Sequence, residues 1–165
     1  MGYRYDINEA KIRVEAAKMS QMFEALENLA KEHIKNKSLW KIKQSTQRLN
    51  DGRDKAEFYV DRLNNEIKDN EEIIKFLPHR ELSRDEILEN LEWSYYFDGD
   101  DNLTGMYHGE ESCDVNEEEL EAIAPFVSDG SYVEISGEDR DDLFRYVFRN
   151  GAMKKINAVI SFPED

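Results

Sequence analysis

Cysteine is nearly absent from this chain. The single one, Cys113 in 165 residues, can form no internal disulfide, which fits a reducing cytosol. Long apolar runs are absent too. None approaches the roughly 20 residues that cross a bilayer, so no membrane role is expected. The opening MGYRYDINEA has no apolar stretch of the kind a secretory signal carries. Gly2 is followed by Asp6 where a myristoylation motif places Ser or Thr. Phosphate-cradling loops are missing: neither G-x-x-x-x-G-K-[ST] nor G-x-G-x-x-G occurs, so no nucleotide cofactor is expected.

Cations are scarce in one half. Residues 1–90 carry 17 Lys+Arg against 18 Asp+Glu, whereas residues 91–165 carry 5 against 19. Nearly all of the formal net charge of −15 therefore sits in the second half. Phosphate contacts need cations, so that half is not expected to bind nucleic acid directly, and direct nucleic-acid binding is not expected of the chain as a whole. A basic partner, attracted by electrostatic steering, fits it better. A merely solvated acidic surface is the bland alternative.

What is present divides at about residue 90. Apolar residues follow steps of four and three from Ile12 through Ala16, Met19, Phe23, Leu26, Ala30 and His33, which predicts a helix over 8–35. The segment NKS at 36–38 is expected to interrupt it, with Ser38 capping the next helix. A second seam runs from Ile42 to Leu77, with Arg53 and Asn70 as its polar members. It predicts a helix over 39–77 that Gly52 could break and Pro78 ends. The two helices form an antiparallel hairpin whose apolar faces could also pair in a homodimer. Ser83 and Glu86 then have capping-box spacing for a short joint helix.

From Glu92 the apolar period becomes two. Strands are expected at 93–97, 103–109, 131–137, 143–149 and 152–162, with a helix at 116–127 capped by Asn116. Asn150-Gly151 is a strong type I′ hairpin signal. The expected fold is α+β: a helical hairpin with its joint helix over 1–90, then an acidic ββαβββ domain over 91–165 with a mostly antiparallel sheet.

Candidate chemistry is thin. DGDDNLTG at 98–105 spaces Asp98, Asp100 and Asn102 as a calcium loop does. Such a loop needs Gly at position 6 and Glu at position 12; counting from Asp98, those positions hold Leu103 and Gly109. A hairpin turn is the better reading, and no metal site is expected. His33, His79 and His108 have no Cys or His at zinc-finger spacing, and a His108–Cys113 pair lacks an orienting motif. Paired carboxylates are many, but they cluster at turns and at one helix N-terminus, where they stay ionised rather than divide into acid and base. No enzyme is expected and no catalytic residue is assigned. Lys31, Lys35, Lys37, Lys41 and Lys43 make one basic cluster. It reads first as a solvated helix end; contact with nucleic acid, or with the acids of the other half or of a second copy, are its other readings.

The acids themselves remain. Asp98, Asp100, Asp101, Glu110, Glu111, Glu117, Glu118, Glu119, Glu138, Asp139, Asp141 and Asp142 are the candidate partner-binding residues. On a rigid sheet, such carboxylates imitate the phosphates of nucleic acid and occupy a basic groove. WSYYFDGD, LTGMYHGEES, EELEAIAPFVSDGSYVEISGEDRDDLFRYVF and RNG, within 93–162, resemble a recurrent module of small acidic phage and mobile-element proteins. In size, charge and lack of motifs the chain is similar in class to anti-CRISPR and other anti-defence inhibitors. The resemblance implies a basic partner such as a CRISPR effector or another defence nuclease, and it assigns no catalytic residue. A toxin-neutralising immunity protein is an alternative. A nucleotide-sequestering protein using Arg145, Arg149 and Lys155 is another.

Overall fold

The computed structural model describes residues 4–51, 56–109, 115–139, 141–159 and 161–163. The chain divides into two compact units. One is Met1–Leu26 with Leu91–Asp165, and the other is Glu27–Asn90.

The β-rich unit holds a four-stranded antiparallel sheet in the order β1-β4-β5-β6 and a separate two-stranded β2–β3 sheet. Its strands are β1 (Tyr5–Lys11), β2 (Trp93–Phe97), β3 (Leu103–His108), β4 (Tyr132–Gly137), β5 (Leu143–Arg149) and β6 (Ala152–Asn157). Helix α4 (Glu117–Ile123) lies between β3 and β4 in the chain. The ββαβββ order of the second half is therefore observed, in an α+β fold.

Alternation builds this unit. Val133 and Ile135 of β4 and Phe144, Tyr146 and Phe148 of β5 are buried, while their neighbours are half-buried or exposed. That is the period of a sheet with one face on the core. Asn150 and Gly151 take φ of 52° and 75°, the left-handed pair that a type I′ turn requires. The Asn150 amide also donates to Asp129 Oδ1 at 2.8 Å. Beyond α4, Pro125 tightens the chain into a 3₁₀ turn, Ala124–Phe126, as a proline near a helix end should. Val14 joins the two sheets: it bridges Leu103, which opens β3, and Val127.

The first strand corrects the sequence reading. Residues 8–11 were expected to begin a helix, and they belong instead to β1, paired antiparallel with β4 from Tyr5↔Gly137 to Lys11↔Tyr132. Pairing with a segment more than 120 residues away in the chain overrides a local pattern that fits either structure. The buried apolar residues Ile12 and Val14 therefore precede the helix rather than line it.

In the helical unit, helix α1 is Met19–Asn50, α2 is Glu57–Phe76 and α3 is Arg84–Glu89. The division between the units falls within α1, after Leu26. Helix α1 passes without a break through Asn36, Lys37 and Ser38. None of these is a Gly or Pro, so the cost of continuing is small. Ser38 is buried at 4% exposure and packs inside the hairpin; it is not a cap. The expected helix over 39–77 is two helices, ending at Asn50 and resuming at Glu57; Gly52 and Arg53 lie outside the described residues. The seam holds on α2, where Leu63 and Asn70 are buried, and continues to the buried Leu77 in the 3₁₀ turn just past its end. Antiparallel pairing is fixed by Ser45 donating to Glu66 Oε2 at 3.3 Å near one end, and by the Leu82 amide donating to Glu27 Oε1 at 3.3 Å near the other. The Ser83–Glu86 capping box that starts α3 is present. Among the described residues, no helix is long and apolar enough to cross a membrane.

Candidate partner-binding surface

The 98–102 turn is built from its own carboxylate. Asp98 Oδ1 accepts the amides of Asp100 and Asn102, both at 2.9 Å. The Asn102 side-chain amide donates to Asp98 Oδ2 at 3.0 Å. These bonds, the Asn102 side chain first, hold the Asp98 carboxyl below its usual range. Asp101 takes φ of 63° to close the turn. Asn102 is buried, and its Oδ1 accepts the Ala16 amide at 2.8 Å. The stretch that imitates a calcium loop is thus a hairpin turn in which Asp98 and Asn102 are structural. Asp100 and Asp101 are left on the exposed side.

The second acidic turn joins β4 to β5. The Gly137 amide donates to the Asp142 carbonyl at 2.7 Å, and the Asp142 amide to the Asp139 carbonyl at 3.0 Å. Glu138, Asp139 and Asp141 are exposed and Asp142 is half-buried.

The two turns do not share one face. Gly137 pairs with Tyr5 at the start of β1, while Leu103 exchanges backbone hydrogen bonds with Val14, past its end, at 3.0 and 3.1 Å. The seven residues of β1 alone, at about 3.3 Å each, put the turns roughly 20 Å or more apart, towards opposite ends of the strand. The structure therefore brings Asp100 and Asp101 together, and Glu138, Asp139, Asp141 and Asp142 together, as two separate patches.

The first turn of α4 is different again. Asn116 caps it by accepting the Glu119 amide at 3.2 Å. Glu117 accepts the Tyr146 hydroxyl at 2.6 Å, and Glu118 is exposed. Glu119 departs from expectation: its residue exposure is 0%. Its Oε2 accepts the Glu92 amide at 2.8 Å, and its Oε1 accepts the Trp93 amide at 3.3 Å and the Tyr95 hydroxyl at 2.9 Å. Burial pushes the Glu119 carboxyl up, against the pull of those three donors. Glu119 welds α4 to the start of β2 and is removed from the partner-facing set. Glu110 and Glu111, and Cys113 beside them, lie outside the described residues. Among the described residues, no group of three His, Cys, Asp or Glu side chains is placed to hold a metal ion.

Two of the three cations considered for a nucleotide pocket, Arg145 and Lys155, have partners on the sheet. Arg145 Nε donates to Glu134 Oε1 at 2.9 Å, and its guanidinium lies 4.1 Å from the Tyr132 ring centre. Lys155 Nζ lies 4.2 Å from the Phe144 ring centre. A cavity of about 280 Å3 opens beside Leu143, Arg145, Val147 and Ile156, on a wall that is mostly apolar.

A surface that sequence reasoning only half registered lies in the helical unit. A groove of about 320 Å3 between α1 and α2 is lined by Trp40, Lys41, Gln44 and Arg48 on one wall and by Glu66 and Asn70 on the other. The lysine cluster was visible in the sequence, but Trp40 and Arg48 were not connected with it. The available signal was the spacing 37, 41, 44, 48, which sets Lys37, Lys41, Gln44 and Arg48 on one helix face. Compared with known proteins, the chain matches no family model, no curated protein and no solved structure.

Proposed function

We propose that this chain is a non-enzymatic binding protein whose β-rich unit occupies a basic, nucleic-acid-handling surface of a protein partner. The partner class is a CRISPR effector or another defence nuclease, and the action is stoichiometric inhibition by phosphate mimicry. One observation carries this reading. The β-rich unit holds 9 Lys+Arg against 23 Asp+Glu, while the helical unit holds 13 against 14. The acids are presented by hydrogen-bonded turns on an antiparallel sheet, so they are pre-ordered and lose little freedom on binding. Two acidic patches roughly 20 Å or more apart suit a long basic channel better than a single basic pocket.

The test is protection. Purified CRISPR effectors and defence nucleases are assayed for DNA binding and cleavage with increasing amounts of the chain. Inhibition is expected to saturate at a fixed ratio and to weaken with salt. Asp100→Lys with Asp101→Lys, and Glu138→Lys with Asp139→Lys and Asp141→Lys, should each weaken it by tenfold or more. Inhibition that both charge-reversed proteins retain in full would reject the acidic-surface reading. So would the absence of inhibition across the panel.

A further inference from the structure

We propose that the α1–α2 groove binds single-stranded nucleic acid, with a base stacked on Trp40 and the phosphates held by Lys37, Lys41 and Arg48. The first observation is charge left unspent. Residues 31–48 contain six Lys+Arg and one acid, in a chain with 37 acids to choose from. Lys31 pairs with Glu27 at 3.2 Å. Among the described residues, Lys35, Lys37, Lys41, Lys43 and Arg48 have no ion-pair partner. A protein this acidic would neutralise those cations internally if stability alone decided, since intrahelical pairs form at little cost.

The second observation is the indole. Trp40 is 61% exposed, whereas Trp93 is 2% exposed. It borders the cationic stripe and lines the groove with Lys41 and Arg48. An exposed aromatic plane beside a row of cations is the pairing that single strands recognise: bases stack on the ring and the backbone follows the charge. The groove's volume lies at the small end of ligand sites, roughly 300–1,000 Å3. It holds one nucleotide unit, and the stripe continues beyond it to Lys37. Lys37, Lys41 and Arg48 span about 16 Å of helix at a rise of 1.5 Å per residue, so neighbouring phosphates of one strand can reach them in turn.

The opposite wall does not compete for the phosphates. Glu66 is held by Ser45 and by Arg62, whose Nε lies 3.4 Å from Glu66 Oε1. With the neighbouring Asn70 it offers acceptors to the N–H donors of a base, such as the N3–H of thymine. A duplex would hide the base faces that Trp40 needs. An acidic peptide, or an acidic turn of a second copy, would bring carboxylates with no flat ring for the indole. The overall negative charge does not forbid binding, because charges farther away than about 8 Å are screened at physiological salt. This inference is independent of the acidic surface, which lies in the other unit.

A fluorescein-labelled 12-mer of deoxythymidine is titrated with the full chain and followed by anisotropy. Binding at low salt is expected, with affinity falling with salt at a log–log slope of about −2 for three phosphate contacts. Trp40→Ala should weaken it about tenfold, within the range of one lost base stack. Lys41→Glu with Arg48→Glu should weaken it at least as much. All three side chains line an open groove, so circular dichroism should report an unchanged fold, and Trp40→Phe should restore most of the affinity lost in Trp40→Ala. The proposal is overturned by no binding at low salt, or by variants that bind as the parent does. It is equally overturned if thymidine monophosphate or a poly-glutamate peptide binds as tightly as the 12-mer.

Discussion

The two units spend their side chains in opposite ways. The β-rich unit buries Trp93, Tyr146, Phe148, Leu103 and Ile135 almost completely and ties the buried Glu119 carboxylate to three donors. The helical unit buries Ser38, Ser45 and Asn70 along its seam and leaves Leu39, Trp40, Phe58, Ile73 and Phe76 exposed. One unit closes a core of large aromatic and aliphatic side chains and is strongly acidic; the other packs a narrow seam of small, polar and aliphatic residues and is close to neutral. The largest expected effect tests this contrast. Glu119→Ala strands the Glu92 and Trp93 amides and the Tyr95 hydroxyl, and should cost about 3–5 kcal/mol in denaturant unfolding. Glu119→Gln keeps one acceptor oxygen and should cost less than half of that. Ser45→Ala, which removes a single 3.3 Å contact in the helical unit, should cost under about 1 kcal/mol. Equal losses for Glu119→Ala and Ser45→Ala would erase the distinction between the units.

The same contrast should appear as a pH dependence. Burial first, then contact with Glu119, holds the Tyr95 hydroxyl well above its ordinary value of 10.0. Burial and the bond to Glu117 raise Tyr146 as well. Above that ordinary value the unfolded chain releases tyrosine protons that the folded chain keeps, so stability should fall as pH rises from about 10 upward. Glu119 has the same sign in the acid range. Its folded-state pKa is raised from 4.5, so its contribution is complete below that value and declines as pH climbs through the window above it. Asp98 and Glu15 have the opposite sign. Both are lowered, and the stability they add is lost as pH falls below the ordinary carboxylate range. Tyr95→Phe should flatten the alkaline limb and cost about 1.5–3 kcal/mol at neutral pH, the value of a hydrogen bond to a charged group. An alkaline limb that persists unchanged in a Tyr95→Phe, Tyr146→Phe double variant would place its origin elsewhere.

How far the sequence disclosed this molecule follows the same division. The second half was legible almost strand by strand, because its signals are local. Asn150-Gly151 dictates its turn, Asn116 caps its helix, and alternation marks β4 and β5. β1 was not legible, because its strand state comes from pairing with residues 132–137, and nothing nearby in the chain announces a partner so distant. Glu119 was legible as a residue at a helix N-terminus, where the dipole favours a carboxylate. That it turns inward depends on the Glu92 and Trp93 amides, about 26 residues earlier in the chain. The acidic surface was legible as composition and not as geometry. Only the register of β1 with β4, and the Val14 bridge, show that its two turns stand at opposite ends of a strand.

Asn70 was legible as a polar member of the α2 seam, and it offers a smaller way to sharpen the comparison. Its side-chain amide donates to the Glu66 carbonyl one turn back at 2.7 Å, so it satisfies itself without binding α1. Asn70→Leu should stabilise the helical unit by about 1 kcal/mol in thermal melts. Polar seam residues fix register at a cost in stability, so the variant should also loosen the alignment of α1 with α2. Disulfide trapping between cysteines placed at Gln44 and Asn70, or one turn away, would read that alignment. A single trapped register in the variant would mean that Asn70 does not set it.

The smallest expected effect divides the two tryptophans. Trp93→Ala empties a core position and should cost about 3–5 kcal/mol. Its indole N–H donates to the Asn116 carbonyl at 2.9 Å, and its ring meets His108 edge-on at 4.8 Å. Trp40→Ala should change stability by no more than about 0.5 kcal/mol, as exposed substitutions do. Such a small loss is what an indole left free to stack on a base requires. If Trp40→Ala instead costs as much as a core truncation, Trp40 belongs to the hairpin's packing. The groove beside it would then lose its stacking platform.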